Sequence, residues 1–293
     1  MAVLGEPKTD PNSDRMTQAA ARDPAWLARL LAARHPTMMG ILNLTPDSFS
    51  DGGHFVDPAT AIAHARAMIA AGADIVDVGA ESTRPYGGAV RVSADEERRR
   101  LAPVLGAVCA LGAPVSIDTM KAELAAWAIA QGAAMVNDVW GLQRDPKMAA
   151  VVAEHGVPVV IMHNRDAADP AIDIMADIEG FFARSLAIAE QAGIARNRIV
   201  LDPGIGFGKT AAQSLEAMAR LGRLASFGLP LLVGASRKRF IDTVSPAPPD
   251  QRIGGSIAAH LASVHNGAAM LRVHDVAETM QALKIAAALQ ERA

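Results

Sequence analysis

The chain has 293 residues, 51% apolar and 20% charged, enough to bury one large α/β core. A formal charge of −3 offers no polycation to a nucleic-acid backbone, and 4% aromatics make no base-stacking platform. The single cysteine, Cys109, cannot form an internal disulfide, no Cys/His cluster has zinc spacing, and no apolar run reaches the roughly 18 residues of a membrane helix. The expected partners therefore exclude nucleic acid and membrane, and the expected compartment is the cytoplasm.

Residues 1 to about 22 are polar and carry Pro7, Pro11 and Asn12, the composition of a disordered leader. Met1 to Met16 holds Glu6, Asp10 and Asp14 and lacks an apolar h-region, so it is not read as a secretory signal. Pro24–Ala33 has helical spacing. A flexible leader with a cap helix is expected over 1–35, and one catalytic domain over 36–293.

From there a pattern repeats. Short apolar runs stand at Met38–Leu42, Asp74–Val78, Pro114–Ile117, Met135–Val136, Pro158–Met162, Arg198–Leu201, Pro230–Val233 and Ala268–Val273. Apolar on both faces, they suit buried parallel strands. Ala-rich amphipathic stretches lie between them: Pro58–Ala71, Ala94–Leu111, Lys121–Gln131, Pro146–Glu154, Ile174–Gly193, Ala211–Ser226, Gly254–Asn266 and Val276–Ala288. Eight strands alternating with eight helices predict an α/β fold of the (β/α)8 TIM-barrel type. The rival, a doubly wound open sheet, would carry a Gly-rich turn after its first strand; Asn43-Leu44-Thr45-Pro46-Asp47 is none.

Barrel active sites lie at the C-terminal strand ends. There the chain places Asn43, Asp77, Glu81, Asp118, Asn137-Asp138, Met162-His163, Asp202, Ser236-Arg237-Lys238 and Arg272-Val273-His274-Asp275. A lone Asp after a strand is most often a helix N-cap, and Asp118 and Asp275 fit that bland reading. Caps do not account for Lys238, Arg272 and His274. Asp118, Asn137 and Asp202 offer convergent acceptors and one amide donor, which suits a flat heterocycle rich in N–H groups. Arg84, Arg237, Lys238 and Arg272 are expected to form a cationic arc for a phosphate or diphosphate.

Some features are read as structural. Gly204-Ile205-Gly206-Phe207-Gly208-Lys209-Thr210 fails the Walker pattern, because Pro203 stands where its first Gly belongs. Its glycines would let the backbone lie close to a flat ligand beneath Asp202. His64, His155 and His260 fall in helices as surface or packing residues, and Cys109 as a small hydrophobe. His163 faces either the pocket or the packing around it. Asp95–Arg100 reads as a solvated helix start with a Glu96–Arg100 pair.

With these residues placed, a resemblance can be stated. Met39 to Gly53 (MGILNLTPDSFSDGG) resembles the first signature of the dihydropteroate synthases, and Asp77 to Pro85 (DVGAESTRP) the second. Ser116–Thr119, Asn137-Asp138, Asp202–Lys209, Gly234–Lys238 and Arg272–Asp275 follow in the family's order, so the likeness spans about residues 37–290. It implies a transferase that joins 6-hydroxymethyl-7,8-dihydropterin diphosphate to 4-aminobenzoate, giving 7,8-dihydropteroate and diphosphate for folate synthesis. It implies that Asp118, Asn137, Asp202 and Lys238 hold the pterin, Arg272 stacks on it, and Met162 and Phe207 wall it. Asn43, Arg84, Arg272 and His274 would meet the diphosphate, with Mg²⁺ near Asn43. Thr83, Arg84 and Pro85 would lie in a closing loop and Ser236 would bind the benzoate. Asp118, Lys238, Arg272 and His274 would carry the catalysis, in a homodimer.

The sequence departs from the family after Pro85, where Tyr86-Gly87-Gly88-Ala89-Val90 intervenes, and after His163, where Asn164-Arg165-Asp166 stands. A non-catalytic pterin-binding paralogue, or a pterin-dependent methyltransferase-like barrel, is the alternative expectation.

Overall fold

The computed structural model describes residues 25–33, 35–45, 57–81 and 92–292. Among these the apolar runs form eight strands: β1 Thr37–Asn43, β2 Ile75–Gly79, β3 Val115–Asp118, β4 Met135–Asp138, β5 Val159–Met162, β6 Ile199–Asp202, β7 Leu232–Val233 and β8 Met270–Val273. All pair in parallel, in the order β6-β5-β4-β3-β2-β1-β8-β7. A parallel bridge from Leu201 to Leu231 joins the two ends of that sheet. The result is the expected (β/α)8 barrel.

Helix α1, Trp26–Leu31, precedes β1. The helices between and after the strands are α2 Pro58–Ala70, α3 Ala94–Leu101, α4 Leu105–Cys109, α5 Ala122–Ala130, α6 Met148–His155, α7 Ile174–Gln191, α8 Ala211–Ala219, α9 Arg239–Val244, α10 Ile253–His265 and α11 Val276–Gln290. Local chemistry starts several of them. Asp57, Ser93 and Asp173 accept backbone N–H bonds at the N-caps of α2, α3 and α7, and Thr210 and Gln213 form a capping box on α8.

Two predicted helices are shorter than their periodicity implied. Ala94–Leu111 is split into α3 and α4 around Pro103, whose ring lacks an N–H and crowds the preceding turn. Ala211–Ser226 ends at Ala219 and continues as a 3-10 turn, Leu221–Phe227. The leader expected over residues 1 to about 22 lies outside the described residues.

Strand alternation divides the core into two parts. Val76, Val78, Ile117, Val136, Ile161 and Leu201 pack outward against the helices. Met39, Ile75, Met135, Val160, Val200, Leu232 and Met270 form a separate cluster with Trp26 and Leu27 of α1. That cluster fills the N-terminal half of the barrel, and α1 plugs it. The cap expected near Pro24–Ala33 is therefore a packed element.

Candidate active site

Counting two residues along from the plugged layer predicts what faces the other mouth. Ile75 leads to Asp77, Met135 to Asn137, Val160 to Met162, Val200 to Asp202 and Met270 to Arg272. The contacts agree. Arg272 Nε donates to Asp77 Oδ2 at 2.6 Å, and its Nη2 donates to Asp118 Oδ2 at 2.7 Å. Asn137 Nδ2 donates to Asp77 Oδ2 at 3.1 Å. Each of these groups is buried or nearly so, yet Asp77 Oδ1, Asp118 Oδ1 and Asn137 Oδ1 have no hydrogen-bond partner. An orphaned buried acceptor costs about 1–3 kcal/mol, so three in one mouth mark a place built for donors.

Asp202 Oδ1 accepts the Gly204 N–H at 2.7 Å. Lys238 Nζ donates to the Ile205 carbonyl and lies 4.4 Å from the Phe207 ring centre. Phe207 packs with Met162 and Val139, flanked by Met120 and Trp140, and these form an apolar wall beside the acceptors. Val139, Met120 and Trp140 were not singled out from sequence. Nor was a role for Asp77, although a lone Asp inside an apolar run, in step with Ile75, was the available signal.

Burial shifts the ionisable groups. It pushes the Asp118 carboxyl up to about 7, against the pull of Arg272 and with Asp77 adding to the push. It raises Asp202, with Lys238 opposing. It draws Lys238 down to about 7, although Asp202 and Asp118 favour its charge. Burial also works against the Arg272 charge, but Asp77 and Asp118 outweigh it and its pKa moves up. An acid and a base both poised near neutrality in one mouth are characteristic of active sites.

On the rim beside them, Ser236 Oγ lies 2.9 Å from His274 Nδ1 and accepts the His274 N–H at 3.2 Å. Asn43 ends β1, half-buried, paired in register with Gly79. Thr83, Arg84 and Pro85 lie outside the described residues. The stem before them is held firmly. Lys121 bridges Glu81, at 2.5 Å, and Glu97, and Arg100 donates to the Ala80 carbonyl at 2.8 Å.

Several readings need correction. Two members of the cationic arc are engaged by carboxylates, and Arg84 lies outside the described residues. Arg272 is held by Asp77 and Asp118, and Arg237, at φ +57°, points its guanidinium at both oxygens of Asp275. Asp275 stands at the N-cap position of α11 but makes no side-chain cap bond, because Arg237 takes its carboxylate. Asp118 is likewise no cap; Lys121 stands at that position before α5. The start of α3 is not wholly solvated. Glu96 pairs with Arg100 at 2.8 Å as expected, but Glu97 is fully buried against Lys121. Its acid is raised to about 7 by burial, against the pull of Lys121.

His163 faces away from the mouth, because it is out of step with Met162. The glycines of 204–208 serve the protein's own packing. A Cβ at Gly204 would collide with the His163 carbonyl oxygen, and one at Gly208 with Arg165. Burial pushes the Cys109 thiol up to about 12, in keeping with an inert residue.

Known proteins agree with this geometry. Residues 39–274 match the family described as pterin binding enzyme. The dihydropteroate synthase of Bacillus subtilis is 45% identical over 249 residues, covering 85% of this chain and 86% of that protein. A crystal structure of the Clostridium difficile dihydropteroate synthase, obtained in the presence of pteroic acid, superposes with a TM-score of 0.83 at 46% identity, covering 87% of this chain and 97% of that one. The Xanthomonas albilineans dihydropteroate synthase with 4-aminobenzoic acid gives a TM-score of 0.83 at 44% identity, covering 88% and 94%. No helix among the described residues is long and apolar enough to cross a membrane. The barrel, the acceptor-lined mouth and these likenesses converge: the chain belongs to the pterin-binding enzyme family, among its dihydropteroate synthases.

Proposed function

We propose that the protein joins 6-hydroxymethyl-7,8-dihydropterin diphosphate to 4-aminobenzoate, releasing 7,8-dihydropteroate and diphosphate. The observation that carries this reading is the set of orphaned acceptors on Asp77, Asp118 and Asn137, set beside the Met162–Phe207 wall. A pterin is flat and bears amino and ring N–H donors along one edge, so wall and acceptors match its face and its edge. Asp202 and Lys238 extend the polar edge, the lysine being able to donate to a ring acceptor once its bond to Ile205 is exchanged.

The reaction then needs little from the protein beyond charge and position. The C–O bond at the pterin methylene breaks, and its electron pair leaves with the diphosphate. The arylamine lone pair forms the new C–N bond, and the amine proton passes to solvent or to the leaving group. An ionised Asp118 favours the positive charge that develops on the methylene. Arg272 fixes the Asp118 carboxylate and contributes its own charge towards the leaving group, together with His274. In this proposal Ser236, bonded to His274, offers its hydroxyl to the benzoate carboxylate. Arg84, Thr83 and Pro85 complete the second-substrate side in this proposal.

Magnesium fits the donor set. Asn43 offers one hard amide oxygen on the rim, and no group of three His, Cys, Asp or Glu among the described residues could hold an ion. Mg²⁺ commonly takes one or two protein oxygens with several waters and substrate phosphates. Bound with the diphosphate at Asn43, it would neutralise charge on the leaving group. We further propose a cytoplasmic homodimer. Ile285 and Leu289, one turn apart on α11, are 60% and 66% exposed, and a second copy would cover them.

Diphosphate release from the pterin diphosphate, measured with and without 4-aminobenzoate, tests the activity. Release that depends on the amine is expected. Folded protein giving none would overturn the proposal.

A further inference from the structure

Behind the pterin wall lies a buried lysine that the reaction itself does not use. Lys209 is fully buried. Its Nζ sits 2.6 Å from His163 Nδ1, 2.9 Å from the Gly204 carbonyl and 3.1 Å from the Phe207 carbonyl. The ammonium thus lies inside the turn that carries Phe207 and begins at Asp202. On the far side of the ring, His163 Nε2 is 3.0 Å from Asp177 Oδ2 on α7. Arg165 Nη1 donates to the same oxygen at 2.9 Å. Phe181 packs edge-on against the imidazole, 5.0 Å between ring centres.

Burial pulls the Lys209 pKa well below its usual value, while Asp202 and then Asp177 favour the charge. With the amine charged, the valences fit one arrangement. Two carbonyl oxygens can only accept, so an ammonium that feeds three acceptors needs the His163 Nδ1 lone pair as its third. The ring proton is then on Nε2, directed at Asp177. The neutral imidazole links the lysine to a carboxylate that it does not touch and that Arg165 also holds, while Asp202 is the carboxylate that most favours the lysine's charge. Burial holds His163 uncharged, its pKa drawn down to about 3 with the Lys209 charge adding to the effect. Burial opposes the Asp177 charge as well, but Arg165 and His163 outweigh it and the carboxyl is lowered.

We propose that Lys209 is a positioning residue for the pterin: its nitrogen, bonded to the Gly204 and Phe207 carbonyls and linked through neutral His163 to Asp177, holds the 204–208 turn so that the Phe207 ring and the Asp202 carboxylate meet the heterocycle. The proposal rests on the pterin reading above. It accounts for the glycines as well as the lysine. Gly204 and Gly208, at φ +64° and +52°, lie against the β5 loop too tightly for a side chain. The turn is thus pressed onto His163 and Arg165 from outside and tied by Lys209 from within. Lys209 lies close enough to Asp202 to favour its ionised form, which gives the lysine a second influence on the site.

The test uses the full-length enzyme. Lys209→Met should raise the KM for the pterin diphosphate about 10- to 100-fold, the worth of a few charge-assisted hydrogen bonds. The KM for 4-aminobenzoate should stay within about twofold, because Ser236 and His274 follow β7 and β8, away from the turn after β6. Asp177→Asn should give a smaller rise in the same constant, and Asp177→Glu should recover part of it. Equal rises in both constants, or no rise in either, would overturn the proposal. Side-chain nitrogen NMR of the wild-type protein supplies a readout that survives a poorly folding variant. His163, assigned by its loss in His163→Gln, should show a proton on Nε2 only and should not titrate between pH 5 and 8. A ring protonated on Nδ1, or titrating in that range, would also overturn it. If the wild-type enzyme forms no dihydropteroate, the functional reading fails, and the NMR result still decides the Lys209–His163–Asp177 relay by itself.

Discussion

The two mouths of this barrel are built from the same strands, often from residues only two apart, and they are opposites. At the N-terminal mouth Met39, Ile75, Met135, Val160 and Val200 close on Trp26 and Leu27, with hydrophobic contact throughout. At the C-terminal mouth Asp77, Asn137 and Asp202 stand one step further along, with orphaned acceptors on the first two. One end is closed by apolar packing, with the Thr37 hydroxyl unpaired beside it, and contributes stability. The other keeps unsatisfied groups, each a cost to the folded state, and so is fitted to a ligand.

That division can be broken by experiment. Trp26→Ala should have the largest effect, removing about 3–5 kcal/mol of stability in denaturant unfolding while leaving kcat at 25 °C within about twofold. A large fall in kcat in the still-folded variant would show that the plugged end also shapes the chemistry. Asp118→Asn should do the reverse. It should lower kcat/KM about 10²- to 10³-fold, as loss of a transition-state charge contact does, with the far-UV circular dichroism unchanged. Activity within a few fold of wild type would remove Asp118 from the mechanism.

Lys238→Met should weaken pterin binding about 10- to 100-fold by calorimetry, the range for a hydrogen bond from a charged donor. Unchanged affinity would restrict Lys238 to its contacts with Ile205 and Phe207.

The smallest effect is on stability against pH. Asp118 is raised from 3.8 to about 7, so the unfolded chain gives up that proton first. Its contribution to stability is present below pH 4 and is lost as pH rises to about 7. Lys238 is lowered from 10.5 to about 7, so its contribution is present above 10.5 and is lost as pH falls to about 7. Together they give a shallow stability minimum near neutrality, where both can serve the reaction. Urea unfolding at pH 5, 7 and 9 should show a dip that is flatter in an Asp118→Asn, Lys238→Met double variant. The same dip in both proteins would assign it to other groups.

Much of this was legible because barrel strands are buried on both faces. Continuous runs such as Pro158–Met162 stand out, and the observed strands begin and end within two residues of them. The residues ending those runs, Asp118, Asn137 and Asp202, fell in the mouth for the same reason. Pairing across the fold was less legible. Nothing near Arg272 or Arg237 in the chain announces that Asp77 and Asp118 hold one while Asp275 holds the other. His163 could have been placed by counting from Met162. Its bond to Lys209, 46 residues away, could not, because it depends on two loops packing against each other. The buried Glu97 hid in a charge run whose other members are more exposed. The break between α3 and α4 was signalled by Pro103, and the helical periodicity obscured it.

The most direct test is a crystal structure with the pterin substrate bound. The pterin should lie flat against Met162 and Phe207, its N–H edge within about 3 Å of oxygens on Asp118, Asn137 and Asp202. A pterin bound elsewhere, or one in this mouth that leaves Asp118 Oδ1 and Asn137 Oδ1 unpartnered, would contradict the account.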